Sequence, residues 1–266
     1  MQRKLKNVAA AVFLSSTISA VNILVKIPTR QRPDRFFSCL DSYYAQLSGK
    51  HIVNFIISCD VDDQTMNCTQ VRDKLKRYAH LKAIYAKSKS KIDAYNRDIR
   101  DAEPFDVLVL TSDDTIPIAN GYDDIIATEM TKNFAKFEGV LRFNDGRTPM
   151  TSILNTLPVI GREFYERFNY AYHPDYKSFF CDLELSLVAH ILGKSVAIDK
   201  VLFRHDHPLC TGTAFDELYT KNAIYWDYDM AKFKERADHV FDLRNLGPEK
   251  EAALAKLVKF CLTYVE

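Results

Sequence analysis

The stretch Phe105-Asp-Val-Leu-Val-Leu-Thr-Ser-Asp-Asp114 carries the clearest fold signal in this sequence of 266 residues. Its apolar run is preceded by Pro104 and followed by a polar turn, which is typical of a short buried strand. Asp113 and Asp114 come directly after that strand, so their carboxylates leave the sheet at its carboxyl edge. Ligands of open α/β sheets collect at this edge.

Strands and helices alternate on both sides of this stretch. Apolar, β-branched runs predict strands at residues 22–27, 51–58, 81–86, 139–143, 158–161 and 196–203. Helical patterns predict helices at residues 34–47, 65–78, 122–134 and 182–192, and a polar helix is expected at residues 92–101. The alternation predicts an α/β fold with a mostly parallel central sheet and helices on both faces. We expect this domain to span residues 21–210, after an apolar segment (1–20) and before a helical C-terminal extension (211–266).

The charge balance argues against nucleic acid as a partner. Lys and Arg number 36 and Asp and Glu number 35, so no global field attracts a phosphate backbone. The six cysteines contain no C-x-x-C pair, which excludes a zinc ribbon and a thioredoxin-like motif. We expect reduced thiols and a cytoplasmic location.

The first twenty residues leave three roles open. A basic start is followed by a short apolar stretch ending at Ala20, which is the outline of a signal peptide. The same stretch fits a membrane anchor or a helix docked on the domain. We therefore expect a cytoplasmic protein that could associate with a membrane through this segment.

Acidic and basic side chains follow several strands and could share one site. Carboxylate oxygens such as those of Asp113 and Asp114 are the ligands that a divalent cation prefers. Asp60 and Asp62 follow the second strand and could accept hydrogen bonds from a nucleobase or ribose. The basic and polar residues 87–96 lie where they could meet phosphates. Taken singly, each of these motifs is also common in turns, helix caps and solvated loops.

Two later motifs could supply an acid–base group and further cation ligands. Asp182 and Glu184 fall in the first turn of a predicted helix, where either could act as a general base. His205 and His207 alternate along an extended segment and therefore point to the same side.

The order of these motifs resembles the GT-A glycosyltransferases, especially family 2. The resemblance covers residues 22–208. Its first motifs are an early Ile-Pro-Thr-Arg, the acidic loop after the second strand, and Ala94 and Asn96 before the central strand. The later motifs are the acidic element after that strand, an acid at a late helix start and a late histidine. Ser112 departs from the pattern, since an aspartate usually opens the acidic element.

The resemblance implies a hexosyltransferase-like enzyme, inverting in most family members, that moves a sugar from a nucleotide-diphosphate donor to a hydroxyl of a glycan or another acceptor. It implies Mn²⁺ or Mg²⁺ bound by Asp114 with His205 or His207, and Asp182, with Glu184 second, as the base. Asp145 would belong to the acceptor-side loop. The nucleotide-sugar contacts it implies, together with those suggested by the basic stretch, are Pro28, Thr29, Arg30, Asp60, Asp62, Lys89, Asn96, Ser112 and Asp113.

Other nucleotide-binding folds match less well. A dinucleotide-binding enzyme needs G-x-G-x-x-G after the first strand, but residues 28–33 read Pro-Thr-Arg-Gln-Arg-Pro. A P-loop before Lys194 would need glycine at Val188. A nucleotidyltransferase and a non-catalytic module that binds a nucleotide or sugar remain as alternatives.

Overall fold

The central sheet holds seven strands in the order β3-β2-β1-β4-β7-β6-β8. The computed structural model describes residues 19–206, 212 and 216–263. The strands in it are β1 (Asn22–Thr29), β2 (Ile52–Asp60), β3 (Leu81–Ala86), β4 (Val107–Leu110), β5 (Thr115–Pro117), β6 (Val140–Asn144), β7 (Val159–Gly161), β8 (Ser195–Val201) and β9 (Phe203–His205). Within the sheet only β7 pairs antiparallel with its neighbours, and β5 pairs with β9 in a separate antiparallel ribbon. The mostly parallel sheet predicted from the sequence is thus confirmed.

The described helices cover both faces of this sheet. They are α1 (Pro33–Ala45), α2 (Thr69–Leu75), α3 (Lys91–Asn96), α4 (Tyr122–Asn133), α5 (Arg162–Phe168), α6 (Cys181–Ile191), α7 (Glu217–Ala223), α8 (Trp226–Asp238) and α9 (Pro248–Leu262). Strand β4 shows how the two layers form. Val107 and Val109 point into the core under α1 and α4, whereas Leu108 and Leu110 point into the core under α6 and α8, because successive side chains of a strand face opposite ways.

Strand β1 reaches two residues further than predicted. Pro28 and Thr29 still pair in register with Ser58 and Cys59 of β2. Thr29 is consequently buried at the carboxyl edge of the sheet.

Two local predictions were wrong, and two elements were missed. The strand expected at 196–203 breaks at Leu202, whose carbonyl accepts the N–H of Ile118 at 2.8 Å, so the chain leaves the sheet and pairs with β5. The helix expected at 92–101 ends at Asn96, because Arg97 is extended, with ψ of 154°, and Asp98 is left-handed, with φ of 73°. Helix α5 and the short strand β5 were not predicted.

The helical C-terminal extension contributes to the main core. Phe233 of α8 and Leu254 of α9 lie in the same buried cluster as Leu187 of α6. Residues 1–18 and His207 lie outside the described residues. In the described ranges we find no helix with the length and apolarity needed to cross a lipid bilayer.

Candidate active site

The carboxyl ends of β2, β1 and β4 form one edge, because these three strands are adjacent and parallel. Asp60 ends β2, Thr29 ends β1, and Asp113 and Asp114 follow β4 by three and four residues. We call these four residues the carboxylate rim. The Thr29 hydroxyl donates to Asp113 Oδ2 at 2.8 Å, so β1 and the end of β4 are joined directly at the rim.

Asp113 is almost completely buried, at 1 % exposure. Arg32, in the loop after β1, places Nη2 2.8 Å from Asp113 Oδ1. Burial raises the pKa of Asp113 to about 6, although the Arg32 guanidinium opposes the shift. Asp113 is therefore held by Thr29 and Arg32 inside the protein, at the base of the rim.

Asp114 has a different environment from its neighbour. The Ser112 hydroxyl donates to Oδ1 and the Tyr219 hydroxyl donates to Oδ2 at 2.5 Å. Burial would raise the pKa of Asp114, but His205 and the two hydroxyl donors hold that pKa well below the ordinary aspartate value. Asp114 thus keeps its negative charge in a protected position.

His205 lies beside Asp114, as a shared cation site requires. Its Nε2 is 3.7 Å from Asp114 Oδ1, since β9 pairs with β5 and sets Thr115 opposite His205. Burial lowers the pKa of His205, so the imidazole tends to be neutral and able to ligate a metal.

The Asp114 carboxylate and the His205 imidazole could ligate a divalent cation whose other ligands come from a diphosphate. Among the described residues, no group of three or more His, Cys, Asp or Glu side chains is arranged to hold a metal by protein ligands alone. Mg²⁺-type sites with substrate phosphates commonly use only one or two carboxylates from the protein. Asp114 and His205 therefore suit a cation that arrives with a phosphate ligand.

The acidic loop after β2 is paired with Arg30. Arg30 Nη1 lies 2.8 Å from Asp60 and 2.8 Å from Asp62, and Asp60 also accepts the backbone N–H of Ser88 at 3.1 Å. Arg30 therefore joins the loops after β1 and β2. A ligand that uses these carboxylates must compete with the guanidinium or bind beside it.

Asp182 lies in the first turn of α6 and is half-buried. Its Oδ1 accepts the Leu183 N–H at 2.9 Å. Burial raises the pKa of Asp182, while Lys91 and His205 act to lower it. Lys91 and His205 also act on the pKa of Asp114, so both aspartates lie within range of the same two side chains.

Helix α8 fixes the segment that leads into α6. Asp229, completely buried, accepts the backbone N–H groups of Lys177, Ser178 and Phe179 at 2.8, 2.7 and 2.8 Å. We call residues 177–182 the α6 entry segment. Its position depends on a carboxylate that lies 50 to 52 residues later in the chain.

Glu184 is used in a buried ion pair. Arg236 of α8 donates to both of its carboxylate oxygens at 2.7 Å, and the Tyr176 hydroxyl donates to it at 2.7 Å. The side chains of Glu184 and Arg236 are 5 % and 7 % exposed. Glu184 therefore joins α6 to α8, and it does not take part in the function proposed below.

The remaining predicted residues divide between the site and the scaffold. Asn96 donates to the Tyr172 carbonyl at 2.6 Å and accepts the N–H of Ala171 at 2.9 Å, so its amide secures a loop and is also left out of the proposal. Asp145 interacts electrostatically with His205, although its oxygens cap the turn at Thr148. Pro28 is half-buried in β1 and Lys89 is exposed.

Several residues around the site were not predicted. Arg32 lies in the loop quoted from the sequence and Lys91 in the basic stretch, but no spacing distinguishes either from its neighbours. Tyr219 and Asp229 come from the C-terminal extension, and their roles depend on contacts that no local sequence pattern encodes.

The sequence matches no protein-family profile and no curated protein. The mannosyltransferase PcManGT from Pyrobaculum calidifontis, solved with GDP-Man and Mn²⁺, has a similar structure with a TM-score of 0.56 and 16 % identity over 70 % of this chain, which spans only 57 % of that protein. S. aureus TarS in complex with UDP gives a TM-score of 0.54 and 15 % identity, covering 84 % of this chain and 72 % of that chain. TarS in complex with UDP-GlcNAc gives a TM-score of 0.52 and 14 % identity, covering 73 % of this chain and 62 % of that chain. The likeness lies in the fold, and this chain has the GT-A fold of glycosyltransferases.

Proposed function

We propose that this protein is a metal-dependent glycosyltransferase that moves a sugar from a nucleotide-diphosphate sugar to an acceptor hydroxyl. The observation that carries the proposal is the approach of His205 Nε2 to Asp114 Oδ1, at 3.7 Å, at the carboxyl edge of the sheet. Lys91 and His205 act on the pKa of both Asp114 and Asp182, which supports a role for Asp182 beside them. The GT-A fold supports it, and structural neighbours were solved with GDP-Man, UDP-GlcNAc and UDP.

The donor would bind across the carboxylate rim. Asp60 and Asp62, with Pro28, Thr29 and Arg30 beside them, would contact the nucleoside. Asp113, Ser112 and Lys89 would lie along its path to the cation site. Asp114 and His205 would hold Mn²⁺ or Mg²⁺, which would neutralise the charge that grows on the diphosphate as the glycosidic bond breaks. Lys91 and Arg35 add positive charge near the same carboxylate.

Asp182 would act as the general base. The acceptor oxygen attacks the anomeric carbon, its proton passes to Asp182, and the bond from that carbon to the diphosphate oxygen breaks. This direct displacement inverts the anomeric configuration. Burial raises the pKa of Asp182, which makes it a stronger base than an exposed aspartate. Asp145, close enough to His205 to interact with it, would lie on the acceptor side.

The first experiment is a thermal-shift screen against UDP and GDP, with and without Mn²⁺. We expect stabilisation by one nucleotide that requires the cation, because a ligand selective for the folded state raises its stability. Sugar nucleotides carrying the selected base are then tested for release of the nucleoside diphosphate, with and without candidate glycan acceptors. Stabilisation without any release or transfer would instead favour a non-catalytic binding module.

A further inference from the structure

The two oxygens of the Asp114 carboxylate face different groups. Oδ1 lies 3.7 Å from His205 Nε2 and also accepts the Ser112 hydroxyl. Oδ2 accepts the Tyr219 hydroxyl at 2.5 Å and lies 3.9 Å from Arg35 Nη2. One side of the carboxylate is held by α7, while the other side is turned toward the imidazole.

Tyr219 is itself held in place by contacts with Asp216 and Arg32. Asp216, at the start of α7, accepts the Tyr219 N–H at 3.0 Å and a hydrogen bond from Arg32 at 3.2 Å. The Arg32 guanidinium lies 5.3 Å from the centre of the Tyr219 ring and binds Asp113 at 2.8 Å. Helix α7 is therefore connected to both aspartates that follow β4.

We propose that Tyr219 is a positioning residue of the cation site, which holds Asp114 Oδ2 so that Oδ1 stays directed toward His205. The inference rests on the proposed function, in which Asp114 and His205 bind the cation. Groups that hydrogen-bond a metal-ligating side chain fix its orientation, and their loss commonly costs about 10- to 100-fold in metal affinity. The cation site thereby includes a residue of the C-terminal extension.

A competing role for the same hydroxyl has the opposite sign. If the Tyr219 proton occupied the oxygen that the cation needs, its removal would strengthen cation binding. The direction of the change in Mn²⁺ affinity therefore separates a positioning residue from a competitor.

The experiment is a titration of the full-length protein with Mn²⁺, alone and in the presence of UDP or GDP, with free Mn²⁺ measured by electron paramagnetic resonance. We expect Tyr219→Phe to raise the Mn²⁺ dissociation constant about tenfold or more. Tyr228→Phe, a change on α8 at a residue that is 47 % exposed, is the matched control and is expected to leave Mn²⁺ binding unchanged. Circular dichroism and the thermal midpoint report whether each variant is folded.

Asp216→Ala provides a second test that leaves Asp114 and Tyr219 in the chain. It removes the hydrogen bond from Arg32 to Asp216 and the acceptor of the Tyr219 N–H, while the Arg32 guanidinium stays near the Tyr219 ring. We therefore expect weaker Mn²⁺ binding by a smaller factor. If Tyr219→Phe fails to fold, weaker binding in Asp216→Ala supports the proposal and unchanged binding overturns it.

The remaining outcomes distinguish this proposal from the one on which it rests. Unchanged or tighter Mn²⁺ binding by folded Tyr219→Phe, with cation binding by the wild type, overturns the role of Tyr219 and leaves the glycosyltransferase proposal standing. No Mn²⁺ binding by the wild type with either nucleotide overturns both.

Discussion

The carboxylate rim and the α6 entry segment are held in different ways. The rim residues stand at the ends of adjacent strands and bind one another across those strand ends, as Thr29 does Asp113 at 2.8 Å. The α6 entry segment depends on α8, where Asp229 accepts three of its backbone N–H groups. In the function proposed here the sheet sets the backbone of the cation half, where Tyr219 of α7 binds the Asp114 side chain. The backbone of the general-base half is instead held by the C-terminal extension.

The largest effect is expected at the rim. Asp114→Ala should lower turnover on the order of 10⁴-fold, because a bound cation contributes several kcal/mol of charge stabilisation and each ~1.4 kcal/mol is worth a factor of ten. It should also abolish Mn²⁺-dependent nucleotide binding, measured by calorimetry. Asp73→Ala, which changes an aspartate with a side chain 53 % exposed on α2, should leave both unchanged. Normal nucleotide binding with Mn²⁺ by Asp114→Ala would contradict the cation site.

A smaller loss of turnover, without a loss of nucleotide affinity, is expected at the α6 entry segment. Asp182→Asn should lower kcat about 10³-fold, within the usual contribution of a general base, because the amide cannot take the acceptor proton. Nucleotide affinity with Mn²⁺ should be unchanged, since Asp182 belongs to the base half of the site. Asp175→Asn, on the neighbouring exposed loop, is the matched control. A loss of nucleotide affinity with normal kcat would assign Asp182 to the donor side.

The buried pair behind the α6 entry segment should affect stability. Arg236→Met should lower the free energy of unfolding by about 3 kcal/mol, because among the described residues it leaves the buried Glu184 carboxylate with Tyr176 as its one side-chain hydrogen-bond donor. Urea denaturation measures the change. The double variant Glu184→Met with Arg236→Met should recover most of the loss, since replacing both members of a buried pair with apolar side chains is often neutral. An additive further loss in the double variant would contradict this account.

The smallest effect is expected on the pH dependence of stability, through a buried lysine of β1. Lys26 of β1 is completely buried, donates to Ser58 and lies 3.7 Å from Asp98. Burial lowers the pKa of Lys26 to about 7, so between pH 7 and its ordinary pKa the unfolded chain binds more protons than the folded protein. The stability contribution of Lys26 therefore rises as pH increases through this window, by at most about 1.4 kcal/mol per pH unit.

Urea denaturation at pH 7 and pH 8 tests this sign. The wild type should gain stability relative to Lys26→Met as the pH rises, whatever the offset between the two at pH 7. Lys82→Met, at an exposed lysine of β3, should show no such change with pH. A wild type that loses stability relative to Lys26→Met over this range would exclude a depressed pKa.

The pattern of strands and acids made the fold and the rim predictable. The apolar run ending at Leu110 is short and bounded by Pro104, so it predicted a buried strand, and the repeated strand–helix order predicted neighbouring parallel strands. In such a sheet the carboxyl ends share one edge, so Asp60 and Asp114 had to come to the same side. The helix at 162–168 and the break at Leu202 were missed because their partners, such as the N–H of Ile118, lie far away in the sequence.

By itself the sequence determined the α/β class, the edge at which ligands would collect, and the acids available there, because strand direction and side-chain alternation are local properties. It did not separate Asp182 from Glu184, which lie two residues apart and therefore point roughly 200° apart around a helix. Only the tertiary structure decided that Glu184 faces Arg236 and that Tyr219 reaches Asp114. These contacts join segments 52 and 105 residues apart, and packing, which no local pattern records, brings them together.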